Sequence, residues 1–170
     1  MGITKEYLAG LFDGEGSASL ILTVSKQGRS LRPEITITQK TMWYLEVLSQ
    51  GLRDLGLGHN LSSQRYRGVG RIMISGLKRS DRFIQVVGPY VILKKRQLDL
   101  LAGFIQKRLA LPVCTPYDKA DLDLRQQIRA LRNSQGILRD LTSGSPPDHA
   151  GGDDKVQTAA ANVGGRKPVR

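Results

Sequence analysis

From residue 17 to residue 26 apolar and polar side chains alternate, with Ala18, Leu20, Leu22 and Val24 on one face and Ser19, Ile21, Thr23 and Ser25 on the other. A period of two is that of a half-buried strand. Gln27-Gly28-Arg29-Ser30 predicts a turn. Leu31, Pro33, Ile35 and Ile37 then alternate with Arg32, Glu34, Thr36 and Thr38. The two runs predict a hairpin with one apolar face and one mostly polar face. Pro33 lacks an N–H and marks a sheet edge or an irregularity. Ahead of this hairpin, Thr4 suits the N-cap of a helix reaching about Phe12. Behind it, Leu45, Leu48, Leu52 and Leu55 recur at helical spacing over about 40–55, and Gly56 and Gly58 end the run.

The second half repeats the theme. Residues 61–67 and 71–75 predict another hairpin around Gly68-Val69-Gly70, with less distinct faces. Ser80 is the expected cap of a short helix through Val87, stopped by Gly88-Pro89. A further helix covers roughly 94–109, with Leu98, Leu101, Ala102 and Ile105 inward. After a loop over 111–116, a last helix begins near Asp118 and carries Leu124, Ile128, Leu131 and Leu138, with a break expected at 133–136. The order is helix, two strands, helix, two strands, helices. It predicts an α+β layer with helices on one face of an antiparallel sheet and an open, polar opposite face. Residues 1–142 make one domain. From Ser143 the text turns rich in Gly, Ala and Pro with almost no large apolar residue, the composition of a mobile tail over 143–170.

Charge adds a partner class. The formal charge is +11. Residues 1–142 hold 22 Lys/Arg against 12 Asp/Glu, and 143–170 hold 4 against 3. The basic part is the folded part, so a polyanion is expected: nucleic acid first, an acidic membrane second. No apolar run approaches 18 residues, so no membrane span is expected. The chain opens directly in a helical pattern with no signal or transit segment, which fits an intracellular protein. Cys114 stands alone, ruling out an internal disulfide and a cysteine-type zinc site. His59 and His149 are far apart, against a histidine triad or a His-rich metal site.

One segment carries chemistry. Residues 7–17 read Tyr-Leu-Ala-Gly-Leu-Phe-Asp-Gly-Glu-Gly-Ser. Gly10 and Gly14, four apart, share a helix face with Tyr7 and Leu11. That face admits a second backbone closely, and a second copy of the same helix suits it. Pairing would bring two Glu15 carboxylates together, with a cation needed between them. Were a nucleic-acid partner to be cut, hydrolysis of its phosphodiester would require an activated water and a stabilised leaving oxygen. Without a histidine base, a divalent metal supplies both. Mg²⁺ takes oxygen ligands and few of them from protein. Glu15 and the Gly14 carbonyl are the candidates, while Asp13 reads as a turn or helix-end contact.

The stretch Leu8-Ala9-Gly10-Leu11-Phe12-Asp13-Gly14-Glu15-Gly16 resembles the nonapeptide that names the LAGLIDADG homing endonucleases, with Glu15 in place of the usual final Asp. The resemblance covers about 4–110. It implies an αββαββα fold with a concave sheet, and Mg²⁺, or Mn²⁺ or Ca²⁺ in its place, held between paired Glu15 residues. With one motif per chain it implies a homodimer; Leu101-Ala102-Gly103-Phe104-Ile105 lacks the acidic end of a second motif. The implied activity is a double-strand break with 3′ overhangs in a long pseudo-palindromic site of double-stranded DNA. An intron-encoded protein of an archaeal or bacterial cytoplasm, or of an organelle with its own genome, is implied as well. Thr36-Ile37-Thr38-Gln39-Lys40-Thr41 resembles the segment where a glutamine, here Gln39, holds solvent near the scissile phosphate. Pro89-Tyr90-Val91-Ile92-Leu93-Lys94-Lys95-Arg96-Gln97 resembles the segment whose basic residue, here Lys94, organises active-site water or polarises phosphate. Three successive cations entering a helix oppose its dipole and imply a nearby anion. Trp43 falls where close relatives carry a second basic residue; Lys40 or Lys95, or a shifted alignment, would have to replace it.

For DNA contact the resemblance and the polar sheet face nominate Ser19, Ile21, Thr23, Ser25 and Gln27 along the groove, with Ser30, Arg32, Glu34 and Thr36 beside them. Such side chains hydrogen-bond base edges, and Glu34 could accept from cytosine. Arg65, Arg67 and Arg71 are nominated for phosphate or guanine. A strand of about nine residues spans roughly 30 Å, or roughly nine base pairs. A dimer would then cover about 20 pairs. Two alternatives stand beside the endonuclease: a maturase that binds intron RNA, and a sequence-specific DNA-binding protein that does not cut.

Overall fold

A computed structural model describes residues 2–25, 28–64 and 68–143. Helix α1 (Lys5–Glu15) starts as expected: the Thr4 hydroxyl accepts from the Tyr7 N–H at 3.2 Å. It runs three residues further than the apolar pattern suggests, through Asp13 and Gly14 to Glu15, and passes straight into β1 (Gly16–Ser25). Gly16 makes that junction possible. A Cβ there would lie 2.6 Å from the Phe12 carbonyl oxygen and 2.8 Å from its Cα.

Strand β2 (Gly28–Gln39) pairs antiparallel with β1 from Gly16↔Ile37 to Ser25↔Gly28. Gly28, Arg29 and Ser30 therefore belong to the strand rather than to the expected turn, and Gly28 joins it at φ +128°. Helix α2 (Met42–Asp54) follows, then β3 (Asn60–Gln64) and β4 (Val69–Ser75). The sheet order is β1-β2-β4-β3, so the hairpins meet through β2 and β4, from Glu34↔Ser75 to Gln39↔Gly70. Pro33 lies in β2 one residue before its pairing with β4 begins at Glu34↔Ser75, so on that side it is at the edge of the sheet. Its carbonyl accepts from the Gly76 N–H at 3.1 Å just where β4 ends, so its missing N–H costs no rung of the ladder.

Helix α3 (Leu77–Val87) begins after Gly76, at φ +91°, three residues before the expected Ser80 cap. The Ser80 N–H already donates to the Gly76 carbonyl at 3.1 Å, which makes Ser80 a buried helical residue. A 3₁₀ turn (Gly88–Tyr90) leads to α4 (Lys95–Ala110). One face of the sheet is covered by helices. Ala18, Leu20, Ile35, Ile37, Ile72 and Ile74 pack there against Leu8, Phe12, Leu45, Leu48, Phe83, Leu98, Leu101 and Phe104. Burial of each such large side chain contributes about 2 kcal/mol.

Helix α5 (Lys119–Ser143) passes through 133–136 without the expected break. Asp118 and Asp121 cap its start reciprocally: the Asp121 N–H donates to the Asp118 carboxylate at 2.8 Å, and the Asp118 N–H to that of Asp121 at 3.2 Å. Lys107 of α4 reaches both carboxylates, at 2.7 and 2.8 Å. Ile128 is buried against β1, and the Arg125 Nε donates to the Leu20 carbonyl at 3.1 Å on that strand's outer edge. Among the described residues no helix is long and apolar enough to cross a membrane.

Candidate active site and nucleic-acid interface

Three sequence-nominated residues come to one end of the sheet. Glu15 closes α1 with an exposed side chain. Gln39, half-buried, lies two residues beyond Ile37, the partner of Gly16. Lys94 arrives from a distant part of the chain: its ammonium donates to the carbonyls of Phe12 at 3.0 Å and Gly16 at 2.7 Å. The two carbonyls flank the end of α1, whose own final turn carries no cation; that of Phe12 also accepts from the Gly16 N–H, and Gly16 opens β1. A positive charge there complements the helix dipole.

Asp13 completes the reverse contact. Its carboxylate accepts from the N–H groups of Ile92 at 2.8 Å and Lys94 at 2.9 Å, an anion before the N-terminus of α4. The anion implied by Lys94-Lys95-Arg96 is therefore Asp13, while Lys95 pairs with Asp99 at 2.7 Å. Asp13 and Lys94 are each only 8% exposed. The helix-end role of Asp13 agrees with its sequence reading. Lys94 is held against backbone around Glu15 rather than extended toward open solvent.

The motif helix presents a bare face. Tyr7 and Gly10 are exposed, and Leu11 and Gly14 half-buried. A Cβ on Gly10 or Gly14 would meet nothing within 4 Å. The Tyr7 and Tyr44 hydroxyls are hydrogen-bonded, and burial, then that bond, pushes the Tyr44 phenol well above its ordinary range. Trp43, 66% exposed, stands edge-on to Tyr44 with centroids 6.0 Å apart. It offers no cation at the position where one was expected.

On the open sheet face the registers align side chains in rows. Thr23 stands beside Ser30, Ile21 beside Arg32, and Ser17 beside Thr36 and Met73. Thr38, Arg71 and Ser62 form another row; Thr38, Ser62 and Met73 were not nominated from sequence, because the join between hairpins fixes their place. Ser19, Glu34 and Ser75 make the middle row. Here the expectation for Glu34 needs correction. Its side chain is only 10% exposed and its carboxylate is paired with Arg32 at 3.1 Å, so it is engaged within the chain rather than open to a base. Ser25 lies in β1 opposite Gly28. Gln27, Arg65 and Arg67 lie outside the described residues. His59 takes a local role: Nδ1–H donates to the Leu57 carbonyl at 2.9 Å, which leaves Nε2 to accept from the buried Ser49 hydroxyl at 2.7 Å.

Among the described residues no group of three or more His, Cys, Asp or Glu is placed to hold a metal. The donor set at the end of α1 is one exposed carboxylate and main-chain carbonyls. Oxygen ligands in small number suit a hard divalent cation that retains water.

No protein-family model matches the chain, and no curated protein does. Among solved structures it is similar to the homing endonuclease I-CvuI in complex with the I-CreI target, with TM-score 0.62 and 19% identity over 75% of this chain and 80% of that one. It is similar to the LAGLIDADG homing endonuclease I-GzeII in complex with its DNA target, with TM-score 0.59 and 18% identity over 86% of this chain and 52% of that one. The homing endonuclease I-TnaI matches at TM-score 0.55 and 15% identity over 77% of this chain and 99% of that one. The chain has the LAGLIDADG homing-endonuclease fold.

Proposed function

We propose that the protein is a homodimeric, site-specific DNA endonuclease that cuts both strands of a long pseudo-palindromic duplex with a divalent cation, Mg²⁺ in the first instance. The observation that carries the reading is the exposed Glu15 at the end of a helix whose glycine face is bare, beside an open polar sheet face. Pairing two α1 helices through Tyr7, Gly10, Leu11 and Gly14 brings two Glu15 carboxylates to the dimer axis, below the DNA. Glu15 and the Gly14 carbonyl of each chain would hold the cation. When bound, it lowers the pKa of water and neutralises phosphate charge. Gln39 orients solvent from the end of β2. Lys94 fixes the helix end on which Glu15 depends. The sheet rows of Ser19, Ile21, Thr23, Arg32, Thr36 and Arg71 read the major groove. DNA complexes of I-CvuI and I-GzeII support the partner class. An origin within an intron belongs to the same proposal.

A second reading, a DNA-binding protein that does not cut, draws on exposed Trp43 at the position of an expected cation and on the engaged ammonium of Lys94. One experiment separates them. Wild-type and Glu15→Gln proteins are incubated with Mg²⁺ and a randomised library of duplexes. Cut pseudo-palindromic sites enriched by wild type alone support the endonuclease. Equal cutting by Glu15→Gln removes the mechanism. Duplexes bound and never cut favour the second reading, and preference for intron RNA over duplex favours a maturase.

A further inference from the structure

The last helix holds a feature that the active-site reading leaves unused. Arg125, Arg129 and Arg132 stand at i, i+4 and i+7 on one face of α5, around buried Ile128. They line a cleft of about 320 Å³ whose other wall is β1, including Ser19 and Ile21 of the open sheet face. Asp121 and Asp123 lie before this row; between Asp123 and residue 132 the charges of the helix are arginines alone. Arg125 has a structural task, its Nε on the Leu20 carbonyl. Arg129 and Arg132 are exposed and make no ion pair among the described residues. Like charges at this spacing repel one another. The helix dipole does not offset that cost, because α5 continues to Ser143, well past the reach of its last turn. A row of cations beside the edge of a groove-reading face matches a polyanion strand running along that edge.

We propose that Arg129 and Arg132 form a phosphate clamp on the outer edge of β1, gripping the DNA backbone beside the bases read by Ser19 and Ile21. This rests on the duplex-binding reading above and adds a second contact surface to it. Phosphate contacts fix register and orientation without carrying sequence information. The clamp therefore contributes affinity and salt dependence and leaves base preference unaltered.

The test uses the full chain and a mixed-sequence duplex of about 30 pairs. Kd is measured across salt concentrations for wild type, Arg129→Gln/Arg132→Gln, and Arg82→Gln, an exposed arginine of α3 in the helical layer. Each lost phosphate contact lowers the slope of log Kd against log salt by about 0.9. The double variant is expected to lose about 1.8 of slope and Arg82→Gln none, with circular dichroism melts matching wild type. An unchanged slope in the double variant while wild type binds overturns the clamp and leaves the duplex-binding reading standing. The same loss in Arg82→Gln overturns it too, since the effect is then one of overall charge. If wild type fails to bind any duplex, both readings fall. A changed base preference, measured on sites enriched by wild type, also overturns it, because the arginines would then be reading bases.

Discussion

Asp13 and Lys94 cap each other's helices. The Asp13 carboxylate takes the Lys94 N–H at 2.9 Å at the start of α4, and the Lys94 ammonium takes the Phe12 and Gly16 carbonyls at 3.0 and 2.7 Å at the end of α1. Each side chain thus places the favourable charge at the other's helix terminus. Glu15 lies inside this clasp, between Phe12 and Gly16. The contact turns the sequence's least favourable local feature, cations entering α4, into a device that anchors the turn carrying Glu15.

Removing either half leaves buried groups unsatisfied. Asp13→Asn retains one acceptor oxygen for two N–H donors and introduces an amide N–H₂ that needs partners of its own. Loss of a buried charged hydrogen bond costs about 1–3 kcal/mol, and urea unfolding of Asp13→Asn and of Lys94→Met is expected to show that range for each. If the chain cuts DNA as proposed, cleavage should fall in both even where the protein remains folded, because the turn holding Glu15 loosens. A double variant whose loss equals the sum of the single losses would show that the two sides act independently, against the clasp.

Two glycines of one motif should respond oppositely. Gly16→Ala forces a methyl group against Phe12 backbone, 2.6 Å from its carbonyl oxygen, and neither atom belongs to a flexible chain end. Overpacking of this kind costs about 1–3 kcal/mol. Gly10→Ala meets nothing within 4 Å in the single chain and gains helix propensity of about 1 kcal/mol. Its melt should rise or hold under conditions where the chain is monomeric. Its dimer should weaken, as read by sedimentation at graded concentrations. Gly10→Leu should abolish the dimer and cleavage together; a dimeric, active Gly10→Leu protein would remove α1 from the interface.

How far the chain could be read in advance follows from the range of each interaction. Alternation in β1 and β2, the Thr4 cap and the leucine spacing of α2 and α4 are local signals, and they give the elements and the helix-covered face. The end of α1 is set by a junction in which Gly16 touches Phe12, so the apolar pattern stops short of it. Ser80 has the right type for a cap, but Gly76, at positive φ and already tied to Pro33, starts the helix first. Glu34 looked available on a polar face because strand alternation says nothing of Arg32 lying over it. Asp13–Lys94 joins residues 81 apart, which no local pattern reveals. The join of the two hairpins through β2 and β4 likewise appears only in three dimensions.

The docking of α5 should weaken in acid. Hydrogen bonding by Lys107, then by the Asp121 backbone, holds the Asp118 carboxyl below its usual range, and the Asp118 and Asp121 carboxylates hold the Lys107 ammonium above its own. For a depressed carboxyl the stabilisation is present above the unfolded-state pKa and disappears as pH falls through the lower folded value. For the raised lysine it is present below the ordinary lysine pKa and disappears only as pH rises through the higher folded value. The ion pair is therefore intact at neutral pH and is lost first on the acid side. Melts followed from about pH 6 downward should lose stability more steeply in wild type than in Asp118→Asn. Added salt should narrow the difference, because the Lys107–Asp118 pair is exposed to solvent. Parallel acid profiles for the two proteins would show that this cluster does not govern α5.

Trp43 gives the sharpest test of catalytic competence. It stands 66% exposed in the first turn of α2, just beyond Gln39, and packs edge-on against Tyr44 alone among the described aromatic rings. Trp43→Arg should fold, because little buried area is given up; a cation at a helix N-terminus costs only about 0.3–1 kcal/mol. If the missing basic residue limits phosphate activation, single-turnover cleavage by Trp43→Arg rises roughly tenfold or more, within the range of a positioned charged donor, while duplex Kd changes little. If Lys40 or Lys95 already supplies that charge, Trp43→Arg leaves the rate unchanged and Lys40→Gln or Lys95→Gln lowers it. Lys95 starts at a disadvantage in that role, since its ammonium is already paired with Asp99 at 2.7 Å. A rate insensitive to all three substitutions would mean that no second cation acts at this site, and that Glu15, Gln39 and Lys94 carry the chemistry alone.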